Sequence, residues 1–104
     1  MNDLTREPAL LVWQDGELIK NQWILNRTPI RIGRAPDCDV RLDLRWISRA
    51  HALIRLEGAH YMLEDAGSRN GVFVNDRRIG REVLRDGDIV VLGKARFRFE
   101  AGRS

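Results

Sequence analysis

The chain has 104 residues, of which 43% are hydrophobic and 32% charged, and it contains one cysteine, Cys38. This length is typical of a single domain with its own core, and one cysteine excludes an internal disulfide framework or a metal site built from several thiols. The net charge is +3, and nearly all of the basic residues are arginines. This preference for arginine either favours an anionic partner or reflects genome composition alone.

No segment has the pattern of a membrane anchor or export signal. The longest apolar run covers residues 9–13, far short of the roughly 20 residues that a spanning helix needs, and residues 1–8 lack the basic-then-apolar order of a signal peptide. We therefore expect no membrane association, and a cytoplasmic location fits the single cysteine. Residues 1–8 are expected to form a polar lead-in, residues 9–100 one domain, and residues 101–104 a tail.

Short alternating apolar segments, separated by turn signals, follow one another along the chain. Residues 9–13 and 18–25 form the first pair, joined across Asp15-Gly16, a dipeptide typical of tight hairpins. Further strands are expected at residues 30–32, 40–42, 52–56, 61–64 and 72–74, in short segments at 79 and 83–84, and at 89–92 and 95–99. No window keeps a helical period for more than about two turns. This rhythm predicts an all-β sandwich or barrel, with Ala52, Ile54 and Leu56 facing its core.

Three polar, turn-prone segments interrupt these strands: Gly33-Arg34, residues 47–51 and residues 67–71. Loops at one end of a β-framework can meet in space although they are distant in sequence. Their arginine, serine and asparagine side chains are donors that suit a phosphate or a carboxylate. The sequence therefore indicates an anion site where the three loops converge, although each segment alone is also typical of an ordinary solvated turn.

In order and spacing, these segments resemble the motifs of forkhead-associated (FHA) domains: Gly33-Arg34, Ser48-Arg49-Ala50-His51, Ser68-Arg69-Asn70-Gly71 and Asn75. The resemblance covers about residues 30–99, including the segment 84–93. It implies a β-sandwich of about eleven mostly antiparallel strands, with binding loops at one end. It also implies phosphothreonine-peptide binding, since FHA domains are an established example of phospho-motif recognition by arginine clusters.

Five residues are expected to bind the phosphopeptide: Arg34, Ser48, Arg49, Arg69 and Asn70. Arg34 offers a planar fork for two phosphate oxygens, and Ser48 offers a compact hydroxyl, with its backbone N–H as a second candidate donor. The Asn70 amide both donates and accepts, which suits the main chain of a peptide. Arg49 adds charge at the rim. The resemblance places Arg69 where a small hydroxyl residue often touches phosphate, so its contact is left open.

Five more residues are secondary or structural candidates: Gly33, His51, Ser68, Gly71 and Asn75. Gly33 is expected to let the chain turn tightly before Arg34. The resemblance makes His51 a structural residue that braces the binding loops through hydrogen bonds. Asn75 either belongs to the site or serves only the Asn-Asp turn.

The expected function is that of a non-catalytic phosphothreonine-peptide-binding module in Ser/Thr-kinase-dependent signalling. Its expected partner is a phosphothreonine-containing protein or peptide, such as a Ser/Thr kinase or its substrate, and neither cofactor nor metal is expected. The alternative is phospho-independent protein docking on the same fold. The sequence leaves the oligomeric state open.

Two other classes are disfavoured by the residues themselves. An enzyme built on Ser48 and His51 is not expected, because their spacing does not set the imidazole on the hydroxyl and neither a nucleophile elbow nor an orienting acid is evident. Nucleic-acid binding is not expected either, because arginines and acids are mixed along the chain, without a basic run or an aromatic stacking platform.

Overall fold

The computed structural model describes residues 8–102, and every regular element in that range is a β-strand. The strands are β1 (Leu10–Asp15), β2 (Leu18–Ile24), β3 (Ile30–Gly33), β4 (Val40–Arg41), β5 (Ala52–Glu57), β6 (His60–Asp65), β7 (Val72–Val74), β8 (Arg77–Arg78), β9 (Arg81–Val83), β10 (Ile89–Leu92) and β11 (Ala95–Glu100). Most of the expected lead-in, residues 1–7, and residues 103–104 of the expected tail lie outside this range. Across residues 8–102 there is no helix with the length and apolar character needed to cross a membrane.

The strands form two sheets. One has six strands in the order β2-β1-β11-β10-β7-β8, and the other has five in the order β4-β3-β5-β6-β9. The β3–β4 pair is parallel, whereas the other pairs are antiparallel. The predicted all-β sandwich of eleven mostly antiparallel strands is therefore confirmed.

The core lies between the two sheets and follows from the alternation of the strands. In β11, Phe97 and Phe99 are at most 1% exposed, while the intervening Arg98 is only half-buried, because successive side chains point to opposite faces. From the five-stranded sheet, Ile54 and Leu63 are both 0% exposed. Burial of each such side chain contributes about 1.5–3 kcal/mol relative to exposure.

The core also fixes the segment between β4 and β5, which contains no regular strand. Leu42 and Ile47 belong to this segment, and each is only 1% exposed. Ile47 directly precedes Ser48, so the core holds the backbone from which the Ser48 side chain projects. A loop anchored in this way presents its polar groups in a fixed geometry, which reduces the entropic cost of binding.

One core expectation is wrong. Leu56 is 47% exposed, although it follows Ala52 and Ile54 in the alternation of β5. It lies one residue before the end of the strand and borders a surface groove with Leu25 and Tyr61. Period-2 alternation gives the direction of a side chain, but whether that direction is covered depends on how far the opposite sheet extends.

Candidate functional site

Three loops lie together at one end of the sandwich, which we call the loop end. The first loop (residues 34–39) joins β3 to β4, the second (residues 42–51) joins β4 to β5, and the third (residues 66–71) joins β6 to β7. The Arg34 backbone N–H donates to the Ser48 carbonyl at 3.0 Å, joining the first two loops. Asn70 Nδ2 donates to the Trp46 carbonyl at 2.7 Å, joining the second to the third. The three loops thus converge as the sequence indicates.

Gly33 is needed for the close approach of two backbones. A Cβ at this position would lie 2.2 Å from the carbonyl oxygen of Arg49 and 2.9 Å from its carbonyl carbon. Gly33 is the last residue of β3 and is not among the positive-φ glycines of residues 8–102. Glycine is therefore required here because it lacks a Cβ, which would collide with the Arg49 backbone, and not because of an unusual φ.

Arg34 is half-buried, and its guanidinium is held by the second loop. Its Nε donates to the Ile47 carbonyl at 3.1 Å, one residue before Ser48. The terminal nitrogens, Nη1 and Nη2, make no hydrogen bond within residues 8–102. The guanidinium is consequently oriented by one bond while its remaining donors stay available to a ligand.

Ser48 contributes its hydroxyl to the same place. The Oγ atom accepts a hydrogen bond from the Arg69 backbone N–H at 2.9 Å, which leaves the hydroxyl proton to be donated elsewhere. The Ser48 backbone N–H, expected as a second candidate donor to phosphate, instead donates to Nδ1 of His51 at 3.1 Å. That expectation is wrong, since the N–H is already used inside the site.

His51 is the buried brace between the second and third loops. Its side chain is 0% exposed, and its Nε2 lies 2.9 Å from the Gly71 carbonyl. Because Nδ1 accepts from the Ser48 N–H, the proton resides on Nε2, which donates to Gly71. One imidazole thus fixes Ser48 and Gly71 relative to each other.

The third loop is shaped by short polar bonds of its own. The Asp65 Oδ1 accepts from the backbone N–H groups of Gly67, at 3.0 Å, and Ser68, at 2.7 Å, and the Ser68 hydroxyl accepts from the Gly71 N–H at 2.9 Å. Asn70 remains exposed, and its Oδ1 makes no hydrogen bond within the described chain. Sequence reasoning missed Asp65, although an aspartate two residues before a glycine is a recognisable Asx-turn signal.

Several arginines at or beside the loop end have no carboxylate partner. Six arginines in residues 8–102 form salt bridges: Arg27–Asp39, Arg31–Asp37, Arg55–Glu64, Arg77–Glu82, Arg81–Glu57 and Arg98–Glu100. In the same range, six at or beside the loop end have no carboxylate within 4.0 Å: Arg34, Arg41, Arg45, Arg49, Arg69 and Arg78. The two carboxylates of the first loop, Asp37 and Asp39, are already paired. The second loop also carries one carboxylate without an ion pair, Asp43. With this carboxylate counted, the loop end still has an excess of positive charge that suits an anion.

The side chains of Asn75 and Trp46 both contact residues outside the three loops. Asn75 has a φ of 49° in the turn between β7 and β8, and its amide bonds to Asp88 and Ile89 rather than to the three loops. This placement favours the turn role. Trp46 is half-buried against the core, and a Cβ on Gly93 would lie only 2.2 Å from its Cδ1.

Cys38 closes the first loop against the second. Its thiol donates to the Arg49 carbonyl at 3.4 Å. Burial raises the pKa of the Cys38 thiol above its ordinary value, and the nearby carboxylate of Asp37 raises it further. The thiol therefore stays protonated near neutral pH, where it supports the loop as a hydrogen-bond donor. Within residues 8–102 no group of three His, Cys, Asp or Glu side chains could hold a metal ion.

Comparison with known proteins identifies relatives of this arrangement. The FHA domain family model matches residues 30–93. The chain is 40% identical over 94 residues to the glycogen accumulation regulator GarA of Mycolicibacterium smegmatis, a match that covers 90% of this chain and 60% of that protein. The chain thus spans less than two thirds of the length of that regulator.

Two solved structures share the fold closely. One comes from a study of phosphothreonine-dependent FHA domain interactions; it has a TM-score of 0.82 and 31% identity, over 89% of this chain and 95% of that chain. The other is Mycobacterium tuberculosis EmbR in complex with a low-affinity phosphopeptide, with a TM-score of 0.85 and 32% identity, over 94% of this chain and 25% of that chain. The family model covers more than half of the sequence, and the matched residues include all three loops. The chain therefore belongs to the FHA domain family.

Proposed function

We propose that residues 9–100 form a non-catalytic module that binds phosphothreonine peptides at the loop end. Phosphothreonine carries about −1.5 to −2 charges at neutral pH and three strong acceptor oxygens. The proposal rests above all on the geometry around Arg34, whose Nε is bound to the Ile47 carbonyl while Nη1 and Nη2 make no hydrogen bond in the described chain. The next residue, Ser48, accepts a hydrogen bond through its hydroxyl oxygen and keeps its hydroxyl proton for a ligand. Arg49 and Arg69, both exposed and without carboxylate partners in the described chain, would add attraction at the rim.

Asn70 completes the proposed site by holding the peptide main chain. One of its amide protons is used on the Trp46 carbonyl, while Oδ1 remains available to accept from a peptide N–H. This arrangement fixes the side chain before the ligand arrives, so that little rotamer freedom is lost on binding. The FHA-domain structures with phosphothreonine-dependent interactions and with a bound phosphopeptide support the same class of ligand here.

The hydrogen bonds of His51 support the proposal that the module is non-catalytic. Both ring nitrogens are engaged, Nδ1 with the Ser48 N–H and Nε2 with the Gly71 carbonyl. The imidazole therefore cannot take the proton of the Ser48 hydroxyl without breaking one of these bonds, as general-base catalysis would require. A regulatory role agrees with the glycogen accumulation regulator among the relatives. In this proposal the phosphothreonine belongs to a Ser/Thr kinase or to its substrate.

A paired titration tests the proposed function. A phosphothreonine peptide library with randomised flanking residues and its unphosphorylated copy would be titrated into the chain under identical salt conditions. We expect the phosphorylated pool to bind more than about tenfold tighter, because charge-assisted hydrogen bonds to phosphate are lost in the unphosphorylated copy. Equal binding of both pools would instead support phosphate-independent docking on this fold.

A further inference from the structure

The third loop contains Asn70 followed directly by Gly71, a pair at which asparagine deamidates readily. In this reaction the backbone nitrogen of the glycine attacks the side-chain Cγ of the asparagine, and glycine favours the attack because it has no side chain to hinder it. Asn70 is also exposed, so water reaches the amide that would react. The residue proposed to hold the peptide main chain is therefore chemically labile.

Gly71 is needed where it stands. Its φ of 88° lies in a region that residues with a Cβ rarely adopt, and Arg78 packs in the space that a side chain would take. Arg78 belongs to β8, opposite Phe73 of β7, and its Nε is 2.9 Å from the point that a Cβ on Gly71 would occupy. The shape of the third loop thus requires the glycine that makes Asn70 labile.

Hydrogen bonds restrain both groups that would react. The Gly71 N–H, which has to lose its proton and turn towards the Asn70 side chain, donates to the Ser68 hydroxyl at 2.9 Å. The Asn70 Nδ2, which would leave as ammonia, donates to the Trp46 carbonyl at 2.7 Å. The Gly71 carbonyl lies 2.9 Å from Nε2 of the buried His51, so the next peptide unit is fixed as well. Ring closure consequently requires a local opening of the third loop.

We propose that Asn70 is a deamidation site and that the Ser68 hydroxyl protects it by holding the Gly71 N–H. When the loop opens, the Gly71 nitrogen forms a bond to Asn70 Cγ. The side-chain amide nitrogen leaves as ammonia and takes the proton of the Gly71 N–H with it, which gives a cyclic succinimide. Water then opens the ring at either carbonyl and leaves aspartate or isoaspartate at residue 70.

Either product would lose the role proposed for Asn70, and this consequence rests on the proposed function. A carboxylate has no proton for the Trp46 carbonyl, and it places a negative charge at the loop end, where the phosphate would bind. Isoaspartate also adds a carbon to the main chain before Gly71, which displaces Gly71 from His51. Deamidation would therefore inactivate the binding site irreversibly, at a rate set by the opening of the third loop.

The test compares the wild type, Ser68→Ala and Ile30→Val during incubation at mildly alkaline pH. Peptide mapping by mass spectrometry would follow asparagine, aspartate and isoaspartate at residue 70. Because a hydrogen bond of this kind changes the population of an open state by that factor, Asn70 should deamidate roughly two- to tenfold faster in Ser68→Ala. Ile30→Val weakens the core at the start of β3, away from the loops, and should leave the rate within about twofold of the wild type.

Three results would overturn the protection by Ser68. These are an equal rate at Asn70 in Ser68→Ala and the wild type, an equal acceleration in Ile30→Val, which would mean that the reaction requires global unfolding, and a folded wild type that reacts as fast as the chain in urea. None of these comparisons needs a ligand.

A second measurement addresses the consequence for binding. The deamidated wild type should bind a phosphothreonine peptide more than about tenfold more weakly than fresh protein. Equal affinity of the two forms would overturn the inactivation alone. If neither form bound the peptide, the proposed function would fail, whereas the deamidation rates would still decide whether Ser68 protects Asn70.

Discussion

Replacing Arg34 with alanine is expected to weaken phosphothreonine-peptide binding by about 2–4 kcal/mol, roughly 30- to 900-fold in Kd. The substitution removes the two free nitrogens of the guanidinium and leaves the phosphate dianion with fewer cationic donors. Isothermal titration of one phosphothreonine peptide into both proteins would measure the difference. Arg34→Lys, which keeps the charge but not the planar fork, should fall between them.

The fold should survive this change, because the Arg34 side chain makes one hydrogen bond, to the Ile47 carbonyl. Arg85→Ala is the matched control. Arg85 is exposed and has no salt bridge within the described chain, so its loss changes the net charge equally without touching the three loops. An equal loss of affinity in both variants would show that net charge, rather than the placed guanidinium, drives binding.

Replacing His51 with alanine is expected to lower the free energy of unfolding by about 3–5 kcal/mol. The change opens a cavity at a fully buried side chain and leaves the Ser48 N–H and the Gly71 carbonyl without their partner. Urea unfolding followed by tryptophan fluorescence would measure it. Peptide affinity should fall as well, because the second and third loops lose the group that joins them.

The second histidine provides the control for this prediction. His60 is exposed at the start of β6, and His60→Ala should change the free energy of unfolding by no more than about 0.5 kcal/mol. His51→Phe would fill most of the volume while removing both hydrogen bonds, and it should still be destabilised because two buried polar groups remain unpaired. Stability of His51→Ala within about 1 kcal/mol of the wild type would contradict the bracing role.

Many of the strands could be predicted because they bury one face and leave the other more exposed. The sequence around Phe97 and Phe99 alternates with arginine, and the observed β11 has the same alternation of buried and less buried residues. Leu56 shows the limit of this reasoning. Its position in the alternation is readable from sequence, but its 47% exposure depends on where the second sheet ends.

The loop positions could also be predicted, whereas the bonds between the loops could not. Arg34, Ser48 and Asn70 stand out as polar residues in turn-prone segments, and the structure brings their loops together. Two contacts could not be predicted from the sequence. These are the hydrogen bond from the Ser48 N–H to His51 and the close approach of Gly33 to the Arg49 carbonyl. They depend on backbone positions that are fixed only when the two sheets pack.

The position of Arg78 is an intermediate case. A two-residue turn at Asn75-Asp76, with φ values of 49° and 70°, sets Arg78 opposite Phe73. That register is accessible from sequence, because Asn and Asp favour positive φ in hairpin turns. The contact with Gly71 requires the direction of the side chain as well, which the hairpin register alone does not give.

The most direct measurement is an NMR titration of the ¹⁵N-labelled chain with a phosphothreonine peptide. If the three loops jointly hold the phosphate, the largest amide shift changes should fall in residues 34–35, 46–49 and 67–71, and the unphosphorylated peptide at the same concentration should leave these amides unchanged. Changes concentrated on the outer faces of the sheets, with the loop amides unmoved, would contradict the assignment of the loop end as the binding site.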